Sequence, residues 1–193
     1  HCGKDRLTGR DYSYRRDWII NREEQLAALF TIEIEFRAEM SNHLHLVLRN
    51  RPEIAKRFSP REVARRWLTI TKLAKCFTDK QPEIYEKKDK KLAKNKKRIA
   101  KLRKRLSDVS WFMGTLLENI ARRANAEDDC KGHFWESRYR CREVRDKCGL
   151  LVCGMYVDLN QIRAGEARTP EESLHCSVGL RIAGRAAGDP EAH

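Results

Sequence analysis

Between residues 31 and 48 the chain alternates apolar and polar side chains in two runs separated by two turn-forming residues, a pattern that fits a β-hairpin and little else. Thr31-Ile-Glu-Ile-Glu-Phe-Arg-Ala-Glu-Met40 puts Ile32, Ile34, Phe36, Ala38 and Met40 on one side, as a strand with one buried face requires. Ser41-Asn42 supplies the turn, and His43-Leu-His45-Leu-Val-Leu48 reads as the returning strand. Side chains alternate along a strand, so the two imidazoles leave one face while Leu44, Leu46 and Leu48 leave the other. Two readings of the pair stand. It is half a metal site awaiting a donor from elsewhere, or it is two ordinary strand histidines.

A chain of 193 residues suffices for a single domain with a proper core. No apolar run is long enough to span a bilayer and no leader precedes the first residue, a histidine, so a truncated reading frame and no membrane partner are expected. The seven cysteines include no C-x-x-C pair, which points away from a disulfide framework and towards a reduced, cytoplasmic setting. A zinc module from Cys130, His133, Cys141 and Cys148 is the weaker metal alternative, its spacing irregular.

The net charge of +13 is concentrated in one place. Residues 87–105 carry twelve Lys or Arg against the lone acid Asp89, which is +11 of the total. Leu92, Ile99, Leu102 and Leu106 draw a thin apolar stripe through this segment, so it reads as a helical arm with one packed edge and lysines elsewhere. Such an arm can be a solvated helix or can track phosphates, with Lys94, Lys97 and Lys101 as candidate contacts.

Taken in order, residues 1–18 read as irregular lead-in, and Asn21 with Glu24 resembles a capping box opening a short helix with Leu26, Leu29 and Phe30 on its apolar face. Ser59-Pro60-Arg61-Glu62 is a strong helix start, with Val63, Trp67, Ile70, Ala74 and Phe77 at core spacing behind it. A further helix capped by Ser107 or Asp108 buries Val109, Phe112, Leu116, Ile120 and Ala124. His133-Phe-Trp-Glu-Ser-Arg-Tyr-Arg140 reads as a short strand whose Trp135, Arg138, Tyr139 and Arg140 could stack and pair with single-stranded nucleic acid, or pack in a core. From about Glu143 a helix is expected to turn Val144, Cys148, Leu151, Met155 and Leu159 inward, leaving Tyr156 and Asn160 together on a half-exposed edge. Gly165 stops it, and the chain from Gly179 onward is expected to fray.

Three segments together, M-S-N-H-L-H-L-V-L (Met40 to Leu48), G-H-F-W-E-S-R-Y-R (Gly132 to Arg140) and Y-V-D-L-N-Q-I-R-A-G (Tyr156 to Gly165), resemble the REP-associated tyrosine transposases of the single-tyrosine HUH superfamily. That resemblance implies an α+β, ferredoxin-like fold: an antiparallel sheet with helices on one face, the histidines on a central strand, and a C-terminal helix carrying the tyrosine. It implies one transposase-like domain over residues 1–178 with a basic helical insertion at about 80–106 and a tail at 179–193, its first strand missing. By motif position His43, His45 and Asn160 match the ligands of a divalent Mg or Mn ion and Tyr156 matches the nucleophile, with Tyr139 a rival. Asn160 in place of a second tyrosine implies a one-tyrosine cycle. The implied partner is single-stranded or hairpin DNA, cleaved and rejoined through a 5'-phosphotyrosine, by a monomer or homodimer. The chain departs from the pattern at Gln161, where proline is common, and at Ser137, often glycine. An inactive relative that only binds structured nucleic acid is the alternative.

Overall fold

A computed structural model describes residues 2–5, 7–75 and 86–188. Cys76, Phe77, the connection at 79–82, the start of the basic insertion and residues 189–193 lie outside the described residues. Among the described residues the fold is α+β, with a two-stranded antiparallel sheet and a larger share of helix. Two compact units are distinguished where the sequence suggests one domain: residues 1–20, 34–48 and 140–193 form the first, residues 21–33 and 49–139 the second.

In the first unit the hairpin forms as its alternation requires. Strand β1 (Ile32–Glu39) and strand β2 (Leu44–Asn50), both of which run on into the second unit, flank a turn closed by the Met40 amide donating to the His43 carbonyl at 2.8 Å. One expectation fails at the end of β1, where Arg37 and Glu39 are buried along with Ala38 and Met40, so both faces are covered there. The cover comes from the C-terminal part of the unit. Cys176 bridges Ala38, the Glu39 amide donates to the His175 carbonyl, and the Arg37 amide donates to Ser177 Oγ. This short stretch lies along an edge that the sequence alone leaves unpaired. Burial pushes the Cys176 thiol up to about 11, and its Sγ donates to the Val157 carbonyl at 3.3 Å.

Helix α7 (Lys147–Asp158) crosses this hairpin. Asp146 caps it by accepting from the Gly149 amide, so it opens three residues later than the sequence suggests. It is also rotated: Gly154 and Val157 are buried, whereas Leu151, Met155 and Leu159 are exposed. The cause is Phe36. A Cβ on Gly154 would sit 2.4 Å from the Phe36 ring, so only glycine lets the helix backbone come this close to the sheet. Val157 then joins Ala38, Met40 and Cys176 in a core over which Phe36, Val47 and Val178 pack. After the one-turn helix α8 (Asn160–Arg163), the segment expected to fray from Gly179 is instead helix α9 (Ser177–Ala186), joined to α7 by the Arg181–Asp158 ion pair.

Helix α1 (Arg15–Ala27) begins six residues before the expected cap, so Asn21 lies inside it. The second unit holds its latter half, the short α2 (Pro52–Arg57), and helix α3 (Pro60–Leu73), which opens where its sequence says, with Ser59 Oγ accepting from the Glu62 amide at 3.1 Å. The basic arm is two helices, α4 (Glu86–Ala93) and α5 (Lys96–Arg105), both packed on α3. One acid is the anchor: Asp89 is buried and meets Arg61 at 3.0 Å. Ile99, Leu102 and Leu106 are buried as their spacing requires, and Arg103 donates to the Ala55 and Phe58 carbonyls at the end of α2. Helix α6 (Val109–Glu127), capped by Asp108, buries Phe112, Leu116, Ile120 and Ala124. Residues 133–140 form no strand. The Trp135 indole N–H donates to the Leu117 carbonyl of α6 at 2.8 Å, which makes that aromatic part of the packing.

Gly154→Ala is expected to lower stability by about 1–3 kcal/mol, since the Phe36 ring must move. At Gly114, on α6 with open space where a Cβ would go, the same change is expected to add about 0.5–1 kcal/mol. Urea unfolding midpoints of the two variants check the contrast.

Candidate active site

His43 ends the turn and His45 lies on β2, and their rings stand nearly perpendicular with centroids 4.8 Å apart and Nε2 atoms 3.1 Å apart. Two nitrogens each about 2.1 Å from one cation, subtending roughly 90–110° at it, are about 3.0–3.4 Å apart, so the pair fits as two ligands of a single ion. The same spacing suits an N–H···N hydrogen bond with one ring donating. Asn42, which the sequence marks only as a turn residue, bears on the choice: its Oδ1 lies 2.6 Å from His43 Nδ1. With the proton on Nδ1, donated to that amide oxygen, His43 Nε2 keeps its lone pair for a ligand. At His45, desolvation first and the neighbouring His43 second push the imidazole below its ordinary value, which favours the neutral form.

Helix α7 brings Tyr156 to the same place. Its ring meets His45 edge-on, centroids 5.5 Å apart, and with 46% of the residue exposed the phenol remains open to a ligand. Arg163 on α8 stands with Cζ 5.2 Å from the centre of the Tyr156 ring, a cation where an anionic substrate would approach the phenol. Nothing in the residues marks it beyond an arginine two turns after the tyrosine.

Asn160 departs from expectation. The helix is interrupted at Leu159 (φ −94°, ψ 3°), and the residue one turn beyond Tyr156 is only 7% exposed rather than half open beside the phenol. Among the described residues no three His, Cys, Asp or Glu side chains converge. Of the residues of the weaker zinc alternative, Cys130 and His133 belong to the second unit and Cys141 and Cys148 to the first.

What lies beside Asn160 was missed. Gln161 is buried, and its Nε2 donates to the Glu39 carbonyl at the end of β1 at 3.2 Å. Five residues on, Glu166 accepts from the Ser41 amide at 3.0 Å and pairs with Arg16, while its own amide donates back to the Gln161 carbonyl at 2.8 Å. The turn bearing His43 is thus held at Glu39 and Ser41 by the segment that follows the tyrosine. Gln161, noted in the sequence only as a missing proline, is one half of this clasp.

The residues expected to touch nucleic acid lie on the basic arm and on the segment after α6. Lys94, Lys97 and Lys101 are exposed on or beside α5, and Arg138 and Arg140 are exposed in the irregular segment after α6. The Tyr139 hydroxyl is 3.0 Å from Ser110 Oγ, within the second unit.

Two outcomes follow. Because the folded chain holds His45 below the unfolded value of about 6.5, the unfolded state takes up more protons just below that pH, so stability is whole above it and declines as the medium acidifies. Metal-free His45→Gln is expected to show a shallower loss between pH 7 and 5 in urea titrations. Gln161→Leu, which strips the Glu39 carbonyl of its donor, is expected to cost about 1–3 kcal/mol by the same measurement. No protein-family model matches this chain, and no characterised protein or solved structure shows significant similarity to it.

Proposed function

We propose that the chain cleaves and rejoins single-stranded, hairpin-bearing DNA in the manner of the REP-associated tyrosine transposases its motifs resemble. The observation that carries this reading is the joining of the His43 and His45 Nε2 atoms, 3.1 Å apart, with a half-exposed tyrosine 5.5 Å from His45. On this reading the hairpin is the heart of a ferredoxin-like sheet.

Tyr156 is the nucleophile. Its oxygen attacks phosphorus, its proton passes to solvent, and the P–O3' bond breaks, leaving a 5'-phosphotyrosine and a free 3'-hydroxyl. The phosphoester is retained in this intermediate, so a second 3'-hydroxyl can displace Tyr156 and join new DNA without ATP. Arg163 stands beside the phenol and can hold the phosphate for in-line attack. His43 and His45, with Asn42 fixing the first ring, would hold a divalent Mg or Mn ion, which when bound polarises a phosphate oxygen. Gln161 and Glu166 keep the turn in register with the tyrosine helix. Exposed Lys94, Lys97 and Lys101, with Arg138 and Arg140, supply the cationic contact.

A second reading, favoured by the burial of Asn160, is a protein that binds structured nucleic acid without cutting it. Incubation with a hairpin oligonucleotide and manganese, followed by denaturing electrophoresis, separates the two. The wild type is expected to form a covalent adduct and Tyr156→Phe to lose it by at least about a hundredfold, while binding the DNA as well. Equal adduct in both would remove Tyr156 from the chemistry, and binding with no adduct in either would favour the second reading.

A further inference from the structure

The second unit carries exposed aromatics that the catalytic reading does not use, beside cations of which it uses only Lys101. Trp111, in the first turn of α6, remains 40% exposed although the Arg105 guanidinium lies 3.9 Å from its ring centre and Trp67 meets it edge to face at 5.4 Å. Packing accounts for Arg105 and Trp67. It does not account for leaving so much of an indole in water beside a second aromatic, Tyr139, itself 36% exposed and tied through its hydroxyl to Ser110, the residue before Trp111. Two open rings are therefore anchored at consecutive positions, 110 and 111, in the first turn of α6.

A line of charge leads to them. On α5 the residues turn by about 100° each, so Arg98 and Arg105, seven apart, share the flank next to the buried Ile99, Leu102 and Leu106 stripe, with Lys101 between them and further out. Arg98 and Lys101 are exposed, and Arg105 at the end of the line is the cation over Trp111. Cations in a row that end on exposed aromatic faces suit an unpaired polynucleotide, whose phosphates follow the cations and whose bases stack. A duplex keeps its bases inside, and an acidic peptide would have no use for the rings.

We propose that Trp111 and Tyr139 form a base-stacking site for single-stranded nucleic acid, fed by the Arg98, Lys101 and Arg105 flank of α5. This rests on nucleic acid being the partner and not on Tyr156 being a nucleophile.

The test compares the full chain's affinity for oligothymidylate with its affinity for an abasic deoxyribose-phosphate oligomer of equal length, across a salt series. Wild type is expected to prefer oligothymidylate. Trp111→Ala is expected to weaken that complex about tenfold, leaving the abasic complex and the salt slope unchanged; Tyr139→Ala, at a position outside the core, is expected to act in the same sense. Arg98→Gln with Lys101→Gln is expected to weaken both oligomers alike and to flatten the slope by roughly 0.7 per charge removed. If Trp111→Ala and Tyr139→Ala weaken both oligomers equally, or neither, the stacking site is wrong. A wild type that binds neither oligomer would overturn it as well, whereas loss of the Tyr156 adduct with the base preference intact leaves it standing.

Discussion

Helix α7 lies flat on β1 because Gly154 presents no side chain to Phe36, and the geometry of the histidine and tyrosine groups depends on that contact. A residue with a Cβ at position 154 would lift the helix or turn the ring, and either change would move Tyr156 relative to His45. The contact also sets the rotation of the helix. With Gly154 and Val157 committed to the sheet, Tyr156 is carried to the side where the imidazoles stand, and Leu151 and Met155 are left outside. The clasp of Gln161 and Glu166 on Glu39 and Ser41 then fixes the far end of the same junction. Packing at one end and hydrogen bonds at the other thus keep a flexible turn and a helix in one register.

Much of this was legible in the residues. The alternation of residues 31–40 and the Ser41-Asn42 break gave the hairpin, and Ser59-Pro60 and Asp108 gave helix starts where they are found, because those signals act within a few residues of themselves. The face of α7 was misjudged for the opposite reason. Apolar periodicity points to Val144, Leu151, Met155 and Leu159, and only a ring contributed from a strand more than a hundred residues earlier explains why glycine and Val157 face inward instead. His133 to Arg140 looks strand-like because aromatics and β-formers are dense there, yet the indole finds its acceptor on α6 and no strand partner claims the backbone. The roles of Gln161 and Glu166 are hidden because each meets a group more than a hundred residues away, and a single sequence carries no sign of such meetings; Asn42 reads as a plain turn residue although its partner is the next residue, His43.

Charge is divided as the two units are. The first holds the imidazole pair, the phenol and Arg163; the second holds the basic arm. Within the arm Asp89 is buried against Arg61 while Lys94, Lys97, Arg98 and Lys101 remain in solvent, so its apolar stripe and its charge serve different faces of the same helices. A segment that sequence allows as either a packed helix or a cationic surface is both at once. No helix among the described residues is long and apolar enough to cross a membrane.

The account stands on His43, His45 and Tyr156 sharing one ion-binding site. Adding manganese to the folded chain and following proton relaxation ring by ring measures this directly, since a paramagnetic ion broadens only the protons close to it. The imidazole signals of His43 and His45 and the ring signals of Tyr156 should broaden together and first, and should sharpen again when His45 is replaced by Gln. Broadening that begins at the carboxylates elsewhere, with these three rings untouched, would contradict it.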